Sequence, residues 1–145
     1  RGSQGMGITF ATSPQGADHT TLNTLGIAEY DHQATKGIAQ TLKQNRIAVT
    51  VGDNTMCLFA MIAVAADKDG MKAMAETLSG LYGKPFNAED VIKIGDDTMK
   101  MEIAFNEKAG FKSEDNRLPD FFYDEVSPST GTKFNVGHEE MMASL

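Results

Sequence analysis

The residues able to do chemistry fall in three short stretches. Cys57, the single thiol among 145 residues, stands in Gly52-Asp53-Asn54-Thr55-Met56-Cys57-Leu58-Phe59. A thiolate in the first turn of a helix is stabilised by the positive end of the macrodipole, which suits a metal ligand. The alternative is a cysteine that only fills a core. The second stretch runs from Ala11 through Pro14 and Gly16 to Asp18-His19-Thr20. Proline and glycine force a turn there, and an acid, an imidazole and a hydroxyl follow it. A loop histidine can hydrogen-bond an anionic ligand or move a proton near neutral pH, or it can simply be solvated. The third is Asn106 to Pro119, where a helix stops at Gly110 and an acidic loop leads to Leu118-Pro119. Its charges could line a ligand channel or orient a chain reversal in water.

Around these stretches other signals are missing. No glycine-rich loop fits a phosphate cradle, no serine sits in a nucleophile elbow, and no Cys-x-x-Cys units occur. His19, His32 and His138 are scattered.

The elements that must position the three stretches read as helices. Methionine and alanine are frequent and runs of β-branched residues are rare. Asn87, with Asp90 three residues on, forms a cap for a helix that reaches Ala109 and stops at Gly110. Val91, Ile94, Thr98, Met101 and Phe105 make its expected apolar stripe. Asp69 caps a second helix with Met71, Met74, Leu78 and Leu81 as its stripe and Gly83 as its end. The short link between the two predicts an antiparallel hairpin. A third helix is expected over Asp31 to Asn45, with Ala34, Ile38 and Leu42 on one face. Asp53 or Asn54 would cap a fourth, running to Ala66, so uniformly apolar that it belongs inside a core. Gly5 to Thr12 is open between a strand and a buried helix stopped by Pro14. Beyond Phe111 turn chemistry dominates, while Phe121, Phe122, Tyr123 and Phe134 expect an apolar surface to lie on. The expected fold is one all-α domain over residues 1–145, an irregular multi-helix unit with a helical hairpin and a partly irregular C-terminal arm.

Charge and hydropathy narrow the function classes. The net charge of −7 repels phosphate backbones and anionic lipid, so neither nucleic acid nor a membrane surface is expected as a partner. The longest apolar run, Met56 to Ala66, is far shorter than the roughly 20 residues of a bilayer span. A lone cysteine forms no internal disulfide, in keeping with a reducing, cytoplasmic setting. The first residues show no signal or lipidation pattern, and without a starting methionine a tag remnant and an internal piece are equally open.

Read together, the stretches resemble the C-terminal region of the aldehyde:ferredoxin oxidoreductase family. Gly5 to Thr20 is similar to the family's glycine-led Tyr-Ala-Thr-Ser stretch, which ends in Gly-Ala-Asp-His or Gly-Ala-Cys-His. Met56-Cys57-Leu58-Phe59 sits where the family has Gly-Leu-Cys-Lys-Phe. The family's contacting aspartate lies five residues before its cysteine, where this chain has Gly52 followed by Asp53. Leu81-Tyr82-Gly83, Ile94-Gly95, Phe105-Asn106 to Phe111 and Asp115 to Pro119 then follow in the family's order. The resemblance covers nearly the whole chain.

The resemblance implies an enzyme that oxidises an aldehyde to a carboxylate at tungsten or molybdenum held by two pterins. Electrons would pass through a four-iron, four-sulfur cluster to ferredoxin, with the remaining N-terminal domains as further partners. By position, Cys57 would be one cluster ligand, Asp53 and Asn54 would contact pterin, and His19 would lie near the metal to hydrogen-bond the aldehyde oxygen and shuttle a proton. The contrasting reading is a free-standing acidic helical interaction module without catalysis. One thiolate cannot hold a cluster that takes four ligands, so the isolated chain should carry no cofactor and be inactive. Elemental analysis of the purified chain is expected to find neither tungsten nor iron, and a stoichiometric amount of either would overturn that expectation.

Overall fold

A computed structural model describes residues 2–27 and 30–145 of the chain. It is all-α, as expected, with no strand among the described residues. Among the described residues seven α-helices follow one another: α1 Gln4–Thr12, α2 Ala39–Thr55, α3 Leu58–Ala66, α4 Gly70–Tyr82, α5 Ala88–Lys108, α6 Phe121–Asp124 and α7 His138–Met142. Contacts gather these into two compact units. The first comprises Arg1–Asn45 and Ile103–Leu145, the second Arg46–Glu102, so α2 and α5 contribute residues to both.

In the first unit the ambiguous opening stretch is a helix, and nearly all of α1 is buried. Two glycines make that burial possible. A methyl group on Gly7 would overlap the ring of Phe134, and one on Gly5 would strike Tyr30. The polar side chains that α1 buries are satisfied internally, as a dry interior requires. The Thr9 hydroxyl donates to the Gly5 carbonyl at 3.0 Å and the Thr12 hydroxyl to that of Ile8 at 2.8 Å. The Gln4 amide grips the returning tail. Its Nε2 donates to the Lys133 carbonyl at 2.8 Å, and its Oε1 accepts the Asn135 N–H at 3.0 Å. The tail thus finds its apolar surface: Leu118, Phe134 and Val136 are buried, and Tyr123 meets Phe134 edge to face at 5.4 Å.

Residues 31–38 do not join the helix expected there. Asp31 instead closes a turn, its carboxylate accepting the Gln33 N–H at 2.9 Å, and Gly37 adopts φ 74°. Helix α2 begins only at Ala39, although Ile38 and Leu42 are buried as their spacing requires. Its cap comes from far along the chain. Glu140 Oε1 accepts the N–H groups of Ile38 at 2.8 Å and Ala39 at 2.9 Å.

The second unit is built on Val51, Met61, Met74, Ala75, Leu78 and Val91. The capping box of α5 is as expected: Asn87 Oδ1 accepts the Asp90 N–H at 3.0 Å, and Asp90 returns the favour to the Asn87 N–H at 2.8 Å. The far end is also as expected, with Gly110 at φ 101° and Phe111 N–H donating to the Asn106 carbonyl at 3.0 Å. The stripe, however, is displaced. Val91, Gly95 and Met99 are buried, while Met101 and Phe105 are exposed. Gly95 draws the contact onto its own face, because a methyl there would meet the Ile47 carbonyl.

Three further expectations are corrected. Helix α4 packs on α3 and shares the core of this unit with α5 through Val91; the three-residue turn Asp67–Asp69 is tight because Gly70 lets the backbone approach Val64. On α4, Met74 and Leu78 are buried but Leu81 is 72% exposed. Asp53 and Asn54 lie in the last turn of α2 instead of capping α3, whose N-cap is Cys57. And α3 is not inside a core: only Met61 is buried, with Phe59 79% and Ile62 63% exposed. The small core of this unit is filled from α2, α4 and α5, so α3 offers it a single side.

The Glu140 cap supplies a pH-dependent test. The Ala39 N–H, and after it that of Ile38, holds the Glu140 carboxyl below its usual range. Such a group contributes stability above its unfolded value, roughly 4.3, and loses it as pH falls through the lower folded value. Glu140→Ala is expected to cost about 1–2 kcal/mol at neutral pH. Urea titrations followed by circular dichroism should show the gap between variant and wild type closing below about pH 4.

Candidate functional site

Cys57 occupies the N-cap of α3 with extended backbone, φ −80° and ψ 134°, and its side chain is exposed. The break that places it there follows from the end of α2. Thr55 Oγ1 donates back to the Val51 carbonyl at 2.6 Å, and α2 closes one residue before Met56. The first amides of α3 have no partner within the helix and point toward this end, where a negative charge is favoured. Around the thiol the surface is apolar: Met56 is 36% exposed, and Phe59 stands well clear of the core.

Asp53 and Asn54 lie one turn before, on the outer side of α2. The Asn54 amide already donates to the Thr50 carbonyl at 3.0 Å and to Thr98 Oγ1 at 2.9 Å, which ties α2 to α5. Both of its protons are therefore spent. Asp53 faces a second carboxylate, Glu102, whose acidity is weakened first by burial and then by the negative charge of Asp53. This end of the second unit has an anionic edge beside an apolar helix.

His19 belongs to the first unit, in a loop whose shape is fixed by Asp18. The Asp18 carboxylate accepts the Thr20 N–H at 2.8 Å and the Thr20 hydroxyl at 2.6 Å, and a bond from Thr21 adds at 3.2 Å. The Thr20 hydroxyl above all keeps Asp18 more acidic than an ordinary carboxyl. At the neck, Ser13 and Thr21 hydroxyls pair at 2.9 Å, and Gly16 turns the chain with φ 91°. His19 is exposed on this rigid loop.

The structure joins two of the three stretches singled out in the sequence. The Asn106 amide donates to the Pro14 carbonyl at 2.9 Å, binding the end of α5 to the loop before His19. Between them opens a cleft of about 520 Å³, walled by Phe10 to Ala17 on one side and Ile103 to Pro119 on another, with Met142 and Leu145 closing it. Phe111 is 61% exposed at the cleft. Nothing in the periodicity announced that the second and third stretches meet. Asn106, a polar residue in the last turn of an amphipathic helix, was the one available sign.

Among the described residues no group of three or more histidine, cysteine, aspartate or glutamate side chains could hold a metal ion. Among the described residues no helix is long and apolar enough to cross a membrane.

Comparison with known proteins bears on both places. The family model described as aldehyde ferredoxin oxidoreductase, domains 2 and 3, matches residues 1–145. A tungsten-containing aldehyde ferredoxin oxidoreductase of Thermococcus kodakarensis is 26% identical over 145 residues, covering 94% of this chain and 23% of the relative. A protein of the same name from Pyrococcus furiosus is 26% identical over 142 residues, covering 92% and 23%. Another, from Pyrococcus horikoshii, is 23% identical and covers 94% and 23%. The chain thus spans about a quarter of the length of these relatives. No solved structure matches it.

The exposure of Cys57 is directly testable. Iodoacetamide should alkylate the native isolated chain at a rate within about tenfold of that in denaturant. Protection by orders of magnitude would mean that the thiol is buried.

Proposed function

From the premise that the chain belongs to the aldehyde ferredoxin oxidoreductase family, we propose that it is the part of a tungsten-pterin enzyme that supplies one iron–sulfur ligand and one acid–base group. The family match argues against a free-standing interaction module. The observation that carries the reading is the Cys57 thiol, exposed at the start of a helix with an apolar surface uncovered.

The residues present fit this role as a share of a site. A four-iron cluster takes four thiolates, and this chain holds one, at a helix N-terminus where negative charge is favoured. Three ligands would come from polypeptide outside this chain. Asp53, turned outward at the end of α2, is the residue that would accept a hydrogen bond from pterin. Asn54 would offer only its carbonyl oxygen there, since both of its amide protons are taken by Thr50 and Thr98.

When bound, the tungsten–pterin centre and the cluster take up and pass on the two electrons of aldehyde oxidation, and ferredoxin would receive them. The overall change consumes an aldehyde and a water and yields a carboxylate, two electrons and three protons. Those protons need an acceptor, and His19 is the group this chain offers. The bonds from Thr20 and Thr21 hold Asp18 ionised beside it, so an imidazolium formed at His19 has a fixed anion next in sequence.

The test is Cys57→Ala in the full-length protein. Iron content is expected to fall and the low-temperature paramagnetic signal of the reduced cluster to disappear or change type. A variant with the wild-type signal and iron content would remove Cys57 from the ligand set.

A further inference from the structure

We propose that Asn106, in the last turn of α5, is a positioning residue for His19, setting where the loop that carries the imidazole stands. The inference rests on the acid–base role given to His19 above and adds the residue through which that role is exercised.

The loop is closed at its neck and braced within. Ser13 and Thr21, both buried, pair through their hydroxyls at 2.9 Å. Beyond the neck the Gly16 N–H donates to the Ser13 carbonyl at 3.1 Å, and Asp18 accepts the N–H and the hydroxyl of Thr20. Every one of these bonds lies within residues 13–21. They fix the shape of the loop and leave its tilt about the neck unspecified. Residues 15–17 and 19–20 are exposed, so little packing holds the outer part in place. One bond does reach it from outside. Among the described residues, the bond from Asn106 Nδ2 to the Pro14 carbonyl, at 2.9 Å, is the one hydrogen bond that joins residues 14–20 to another element.

The anchor is itself well held. Asn106 belongs to a helix of 21 residues, and its own carbonyl accepts the Phe111 N–H at 3.0 Å where that helix stops. Its side chain is short, so the amide carries less of the rotamer slack that a long lysine would bring. Its neutral donor also matters, because a carboxylate in its place would set an acceptor against the Pro14 carbonyl. Proton transfer needs the two partners within roughly 2.6–3.2 Å. A misplacement of about 1 Å can cost about a hundredfold in rate. A loop that tilts that far keeps its internal bonds and loses its aim.

The test is made in the full-length, cofactor-loaded enzyme with acetaldehyde and benzaldehyde as probes. Asn106→Ala is expected to lower kcat about tenfold while KM changes by less than about threefold. Asn106→Asp, nearly the same shape without the donor, should do the same and covers the case that the alanine variant fails to fold. In crystals of either variant, residues 14–20 are expected to move by about 1 Å or more. The deciding measurement is the cycle with His19→Gln. In that background the loss caused by Asn106→Ala should shrink to less than about twofold, because no imidazole is left to place. A loss of full size there, an unmoved loop, or folded Asn106 variants with kcat within about twofold of wild type would overturn the assignment and leave the role of His19 standing. Wild-type kcat in His19→Gln, or no turnover of either aldehyde by the wild type, would instead remove the acid–base reading and the assignment with it.

Discussion

The first unit depends on the burial of α1. A helix with almost no exposed side has to satisfy each polar atom it carries from within the protein, because an unpaired buried donor or acceptor costs on the order of 1–3 kcal/mol. Helix α1 meets that demand with short side chains: Ser3 caps it, Thr9 and Thr12 bond to its own carbonyls, and Gln4 pairs with the tail backbone. Helix propensity does not explain it, since two of its nine residues are glycine. Those glycines admit Phe134 and Tyr30 to its surface. The tail that this contact anchors leads on to Glu140, and Glu140 caps α2. The loop bearing His19 leaves the same helix at Ser13. Packing around one short helix thus fixes the start of α2 and the loop from which the candidate acid–base group projects.

What could be read from the sequence follows the range of the interactions. The capping box of Asn87 and Asp90 and the glycine stop at Gly110 are local, and both stand where the residue order put them. The start of α2 was misplaced because its cap arrives from Glu140, about a hundred positions away, which leaves no local trace. The stripe of α5 was misread for a different reason. Counting apolar side chains favours Met101 and Phe105, whereas the contact face is chosen by Gly95, a residue that contributes no apolar atoms but allows the Ile47 backbone to approach. Close backbone contact is invisible to hydrophobic periodicity.

The site residues were legible in the same uneven way. Residue type and order were enough to single out Cys57 and His19, and the structure leaves both exposed. Asn54 shows the limit of position alone: its amide is committed to Thr50 and Thr98, a structural duty that no motif announces. The meeting of the Pro14 loop with Asn106 was equally hidden, because it joins stretches some ninety residues apart through one side-chain amide.

Helix α3 and the cysteine at its N-cap make a single physical problem. Its nine residues include no charged or hydrogen-bonding side chain, yet the core of the second unit buries only Met61, with Val64 packed partly against it. An exposed apolar face of this kind marks a surface that is covered by something else. The thiol at its start makes a parallel demand, since the potential of an iron–sulfur cluster depends on how far water is kept from its sulfurs. Under the proposed role both demands are met by one event: the polypeptide that brings the other ligands to Cys57 must lie across Phe59 and Ile62. The excess of apolar residues that made this helix look like a core element would then belong to a core after all, one completed only when the cluster is in place.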